Sequence, residues 1–278
     1  MIRYKTLENV LFFKRPNKEA EKKDGLTSLH KIIVFEISFF FVLHADCISN
    51  LFLILVHLNN EFIRSYSTGR TRETIKFYYD FKSPFSYLAL EPALQLEKDY
   101  PIQLRFIPRS FHTQQCFGGN LIERNRLNWN KVQYLYLDRQ RFANERGLII
   151  REPEHSFDSR LSLIAGLYAD KHQFFHQFAS RTFELFFKRQ LNIENIDEII
   201  KLLYETSRKD KTLEEFSQDF QKYLNNQGQQ DYLNAEKEAE QDHVFDVPMF
   251  IIRDELFWGH DRISWIKNKL DSLKLQNN

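Results

Sequence analysis

Residues Ile75–Pro92 read IKFYYDFKSPFSYLALEP, a short apolar and aromatic run followed by a helical pattern. At the junction stand Ser83, Pro84, Phe85 and Ser86. The first N–H groups of a helix have no intrahelical partner and carry about half a positive charge. Such an end favours an anion, and a thiolate is one. A cysteine there would be a reactive redox thiol, whereas Ser83 and Ser86 cannot exchange disulfides. Two roles are open to Ser83. It can cap the helix, with Pro84 suited to the first turn. Alternatively, its hydroxyl can donate a hydrogen bond to a sulfur that a ligand brings.

Two further stretches near the end of the chain could join it. Val247-Pro248 precedes the apolar run MFII, where a trans proline could simply open an edge strand. In FWGHDR, Gly259 breaks a strand and His260, Asp261 and Arg262 open the last helix. An acid suits a helix N-terminus through the dipole. Asp261 could equally pair with the ammonium group of a ligand at the same helix end.

The elements that must position these residues follow from periodicity. IKFYYDF is a buried strand, SPFSYLALEPALQLEKDY a helix that Pro92 should kink, and IQLRFIP the next strand. A strand–helix–strand unit of this length implies parallel pairing. Residues from about 115 to 243 read as amphipathic helices, the first ending at Gly147. MFII and ELFW then flank Arg253-Asp254, a hairpin turn, and DRISWIKNKLDSL closes the chain as a helix. The order βαβ, helical block, ββα predicts an α/β thioredoxin-like sheet with a large all-helical insertion. The expected domains are an extension over 1–73, a thioredoxin-like domain from 74–114 and 244–278, and an inserted helical domain over 115–243.

Bulk composition narrows the function classes. The 39 basic and 38 acidic residues leave a net charge of +1, so no basic face for nucleic acid is expected. The two cysteines, Cys47 and Cys116, lie far apart and form neither a Cys-x-x-Cys nor a metal-ligand pattern, which fits a reducing compartment. His172 and His176 are four apart on an expected helix, without an H-E-x-x-H pattern or a third ligand, so no metal is expected. The run Ile32–Leu58 is long enough to span a bilayer, but Glu36, His44, Asp46 and His57 interrupt it, so a membrane role is not expected. Arg64, Arg70 and Arg72 with Ser65, Ser67 and Thr68 are similar to the end of a mitochondrial presequence. Mitochondrial targeting is the expectation, with the cytoplasm or the peroxisome as alternatives.

Taken together, Ser-Pro-Phe-Ser-Tyr-Leu-Ala after Asp80-Phe81, Val247-Pro248 before a strand, and FWGHDR resemble the 2-hydroxychromene-2-carboxylate isomerases. These group with kappa-class glutathione transferases in a disulfide-oxidoreductase-related, thioredoxin-like superfamily. Lys131, Tyr134, Asp138 and Arg141 fit the family's helical pattern, with Asn120 eleven residues ahead of Lys131. The resemblance covers about residues 74–272. It implies a bound glutathione: Ser83 facing the sulfur as the catalytic residue, Val247 beside a cis Pro248 pairing with the cysteinyl backbone, Asp261 with Arg262 at the γ-glutamyl end, and Asn120 and Lys131 as contacts from the helical block. The chain departs from the pattern at Asp246, where the family has Gly, at His260, where it often has Asn or Ser, and at Asp158 of Asp158-Ser159-Arg160, where Asn is common.

The resemblance therefore implies a glutathione-dependent isomerase acting on a small electrophilic, aromatic or conjugated substrate. A kappa-type transferase or peroxidase and a non-catalytic glutathione-binding protein are the alternatives, and the expected assembly is a homodimer. N-terminal sequencing of the mature protein checks the targeting expectation: loss of the segment up to about Thr74 supports it, and a chain still beginning at Met1 overturns it.

Overall fold

The structure, a computed structural model, describes residues 72–110 and 121–275, with side chains in the second stretch from Arg126 onward. The run Ile32–Leu58, the Arg/Ser-rich segment as far as Arg70, Cys47, Cys116 and Asn120 lie outside the described residues. Strand β1 (Glu73–Tyr79) leads to helix α1 (Pro84–Asp99) and strand β2 (Ile102–Pro108). Six helices follow: α2 (Leu121–Glu145), α3 (Arg160–Lys171), α4 (Phe175–Phe187), α5 (Ile196–Thr206), α6 (Leu213–Asn225) and α7 (Gln227–Gln241). Then come β3 (Met249–Ile252), β4 (Glu255–Trp258), a single 3₁₀ turn (His260–Arg262) and α8 (Ile263–Ser272). No strand interrupts the described residues between Pro108 and Met249.

The sheet order is β2-β1-β3-β4, with β1 and β2 parallel and the other pairs antiparallel. This is the thioredoxin-like arrangement expected from the order of the elements. Arg253 adopts φ 61° in the β3–β4 turn. β1 is central, and four of its residues divide between two apolar layers. Ile75, Phe77 and Tyr79 belong to the larger core and Tyr78 to a smaller one on the opposite face. Phe77 stacks on Phe250 across the β1–β3 pair, ring centroids 4.5 Å apart. The larger core continues into the helical block without a break. Tyr79 meets the edge of Phe175 at 5.3 Å, and Phe81 packs against Phe178 and Phe183. Aromatic rings thus form the seam between the sheet and the helices.

On the opposite face α7 is held by charge. Arg105 of β2 donates two hydrogen bonds, each 2.6 Å, to the Glu238 carboxylate. Lys76 of β1 sits between Glu238 and Asp242, and the Tyr78 hydroxyl also donates to Asp242. Burial alone would raise the Asp242 pKa, but the donors Lys76 and Tyr78 outweigh it and hold the carboxyl below its ordinary range. Ala235 and Ala239 fill the space beneath this polar row.

One expectation needs correction. His172 and His176 do not share a helix. Gln173, at φ 63°, ends α3 after Lys171, and α4 begins at Phe175. His172 instead packs on Tyr168, and His176 approaches Glu97. α1 runs through Pro92 to Asp99. A proline has no N–H for the carbonyl four residues back, here that of Leu88. That carbonyl accepts a hydrogen bond from the Arg146 guanidinium, just beyond the end of α2. The helical block thus satisfies a backbone group that the sequence of α1 leaves orphaned.

A double-mutant cycle in urea tests this pairing. Arg146→Met should destabilise the protein by about 1–2 kcal/mol, the cost of an unsatisfied part-buried carbonyl. The loss should shrink in a Pro92→Ala background, where the new N–H takes the Leu88 carbonyl. Equal losses in both backgrounds would refute the assignment.

Candidate functional site

Local hydrogen bonding shapes the turn from β1 to α1. Asp80 is fully buried, and its carboxylate accepts from the Lys82 N–H at 3.2 Å. Its carbonyl accepts from the Ser83 N–H at 3.0 Å, and its own N–H donates to the Ser86 hydroxyl at 3.4 Å. The turn is therefore pinned at both ends, and Ser83 enters α1 with extended backbone, φ −85° and ψ 114°. Its hydroxyl oxygen accepts from the Ser86 N–H at 3.2 Å, which is the capping role. The same hydroxyl donates to the carbonyl of Val247 at 3.4 Å. That contact is long for an O–H···O bond, so its proton is weakly held.

The partner loop comes from the other end of the sequence. The Val247–Pro248 peptide bond is cis. Val247 is buried, and the Pro248 carbonyl accepts from the Gly259 N–H at 3.0 Å. Gly259 has φ +112°, and a Cβ there would lie 2.6 Å from the Asp261 carboxylate. The positive φ is what requires glycine, since the half-exposed Asp261 carboxylate could turn aside from a Cβ. It delivers the chain from β4 into the turn that carries His260, Asp261 and Arg262.

His260 is only 5% exposed. Its ring lies parallel to Phe85 of α1 and edge-on to Phe142 of α2, with centroids 5.4 and 4.4 Å away. Its Nδ1 has no hydrogen-bond partner among the described residues. Burial lowers the pKa of the ring, with Asp261 opposing and Arg146 reinforcing that shift. Asp261 itself pairs with Arg262 at 2.6 Å, both side chains being about half exposed.

Asp246 stands one residue before the cis bond. Its carboxylate accepts from the Val247 N–H at 2.7 Å. Burial pushes its pKa up to about 6, against that hydrogen bond and the charge of Lys131. Lys131 is exposed on α2, as are Tyr134 and Arg141, and Arg141 approaches Asp138 at 3.7 Å.

Of the residues singled out in the sequence, Ser83, Val247 and Pro248 are adjoining. Asp261 and Arg262 adjoin them through the Gly259–Pro248 bond and the His260–Phe85 stack. Lys131 acts there through its field at Asp246. Asn120 lies outside the described residues. Sequence reasoning marked Asp246 and His260 only as departures from a pattern. An acid inside the otherwise apolar stretch around Val247-Pro248 was the available signal for the first. Phe142 and Arg146 carried no signal, because their partners are remote in sequence. Chemically, the site presents a serine hydroxyl and a positively polarised helix end beside a backbone amide that a carboxylate already holds.

The neutral, buried His260 gives a pH test. Its folded pKa lies below the unfolded value of 6.5, so its contribution is present above that pH and is lost as the pH falls below it. Between about pH 7.5 and about pH 5.5 the wild type should lose stability relative to His260→Phe, which keeps the ring contacts but cannot titrate. Urea titrations of both proteins at the two pH values check this, and a pH-independent difference would contradict it.

Comparison with known proteins gives the family of the chain. A family model described as a DSBA-like thioredoxin domain matches residues 74–271. A 2-hydroxychromene-2-carboxylate isomerase of Pseudomonas putida is 26% identical over 204 residues, covering 73% of this chain and 97% of that protein. Among solved structures, a 2-hydroxychromene-2-carboxylate isomerase superposes with a TM-score of 0.58 at 24% identity, over 72% of this chain and 95% of the other. The cytosolic disulfide reductase DsbM of Pseudomonas aeruginosa, solved with GSH, superposes with a TM-score of 0.50 at 13% identity, over 71% and 99%. With the family match spanning the whole sheet and the helical block between its halves, the chain belongs to the DSBA-like thioredoxin domain family.

Proposed function

We propose that the protein is a glutathione-dependent isomerase of the 2-hydroxychromene-2-carboxylate isomerase type, acting on a small, electrophilic, conjugated substrate. The observation that carries this reading is the Ser83 hydroxyl. It sits at the N-terminus of α1 and is held against the Val247 carbonyl by one long hydrogen bond. A sulfur anion is a stronger acceptor than a neutral carbonyl. The Ser83 proton can therefore turn from Val247 to the sulfur while the hydroxyl oxygen keeps capping α1. The first turn of the helix adds a favourable field of about 0.3–1 kcal/mol for such an anion.

The residues present fit glutathione in further respects. Beside the cis Pro248, the Val247 carbonyl is held only by the long Ser83 contact, which a peptide-like ligand could replace. Asp261 and Arg262 present a carboxylate and a guanidinium that can receive the ammonium and carboxylate of a γ-glutamyl end. Lys131 supplies a further cation. When bound, glutathione supplies a thiolate that can add reversibly to an electrophilic carbon, so that its release after bond rotation leaves the isomer. Ser83 lowers the pKa of that thiol, and α1 holds the sulfur in place. The isomerases among the relatives support this chemistry, and the neighbour solved with GSH supports the ligand in this fold. The dithiol chemistry named in the second neighbour would need cysteines where Ser83 and Ser86 stand.

Two measurements test the reading. Reduced glutathione and S-methyl glutathione should each raise the melting temperature, and no stabilisation by either would refute it. Ser83→Ala should raise the thiol pKa of bound glutathione, read from thiolate absorbance, and cut turnover of a conjugated substrate roughly 10- to 100-fold, the loss of one charge-assisted hydrogen bond. Full glutathione-dependent turnover by the variant would remove the role assigned to the hydroxyl.

A further inference from the structure

Val247 has one backbone N–H and one carbonyl, and both are engaged by side chains of the chain itself. The carbonyl accepts from Ser83 at 3.4 Å and the N–H donates to Asp246 at 2.7 Å. The two engagements are unequal. The Ser83 contact is at the limit of hydrogen-bond length and is easily redirected. The Asp246 contact is short and involves an ionisable oxygen, the stronger class of bond. It also forms within one residue step, so no other element has to move to make it. Asp246 is largely shielded from water, which raises the cost of leaving its carboxyl unpaired.

We propose that Asp246 is a positioning residue that competes with the ligand for the Val247 N–H and so sets which thiols the site accepts. This rests on the glutathione reading above. A peptide-like thiol must place a carbonyl where the Asp246 carboxylate sits, and the side chain must turn away to admit it. In its present position the Asp246 carboxylate also lies in the favourable field of Lys131. A small thiol without a peptide backbone makes no demand on this N–H. The competition therefore penalises glutathione and similar peptides while leaving simple thiols unaffected. With an apolar residue at this position the N–H would stand free for the ligand.

Calorimetric titration of the full chain with S-methyl glutathione tests this without relying on turnover. Asp246→Ala and Asp246→Glu should each bind roughly three- to tenfold more tightly than wild type, the net worth of one hydrogen bond. Glutamate keeps the negative charge but is one methylene too long for the short bond to Val247. Asp246→Asn keeps an acceptor in place, so its gain should be smaller than that of alanine. Competition with 2-mercaptoethanol should show no difference among the four proteins. If alanine tightens binding and glutamate does not, charge repulsion is the cause and the proposal is overturned. If all four bind equally, the proposal fails and the glutathione reading stands. If none binds, wild type included, both fall.

Discussion

The site depends on the placement of β1. This strand is buried at the centre of the sheet, paired in parallel with β2 and antiparallel with β3. β2 follows it directly, whereas β3 comes from the far end of the described chain. The pairing with β3 brings the Val247–Pro248 loop to the start of α1. The Ser83 hydroxyl can touch the Val247 carbonyl only because Tyr78 and Met249 are register partners in the adjacent strands. A one-residue slip in that register would exchange the two buried faces of the pair and set the large aromatics against the smaller, charge-lined layer. The aromatic core therefore fixes the geometry of the site as well as the stability of the sheet.

The helical block supports this frame in two physical ways. Its aromatic side chains extend the core of the sheet, from Tyr79 and Phe81 into Phe175, Phe178 and Phe183. Its charged side chains satisfy groups that the sheet and α1 cannot satisfy alone. Glu238 and Asp242 meet the cations of β1 and β2, and Arg146 meets the carbonyl orphaned by Pro92. Phe142 and Arg146 also bear on His260, so the end of α2 borders the site as well as the core. Removal of the block would therefore disturb the site through packing and through unpaired polar groups.

Much of this was legible in one dimension because the signals were local. The apolar run of β1, the serine and proline at the start of α1, the hairpin around Arg253 and the glycine before His260 each announce themselves within a few residues. The limits were equally physical. Nothing local says that Gln173 takes a left-handed conformation and separates His172 from His176. The consequence of Pro92 depends on a guanidinium 54 positions along the chain from it, and no periodicity reports such a partner. Asp246 could be noticed as an acid in an apolar stretch, but its hold on the Val247 N–H required coordinates.

By itself the sequence determined the elements, their order and the absence of a cysteine at the helix junction, because these follow from residue type and short-range spacing. It therefore determined the fold class and excluded dithiol chemistry at Ser83. The tertiary structure decided what the junction faces. Sheet pairing brought together residues 164 positions apart, and burial then set the acidity of Asp246 and the neutrality of His260. Contacts at that separation arise from chain packing, to which local propensity is blind, and the balance of donors around Val247 is one of them.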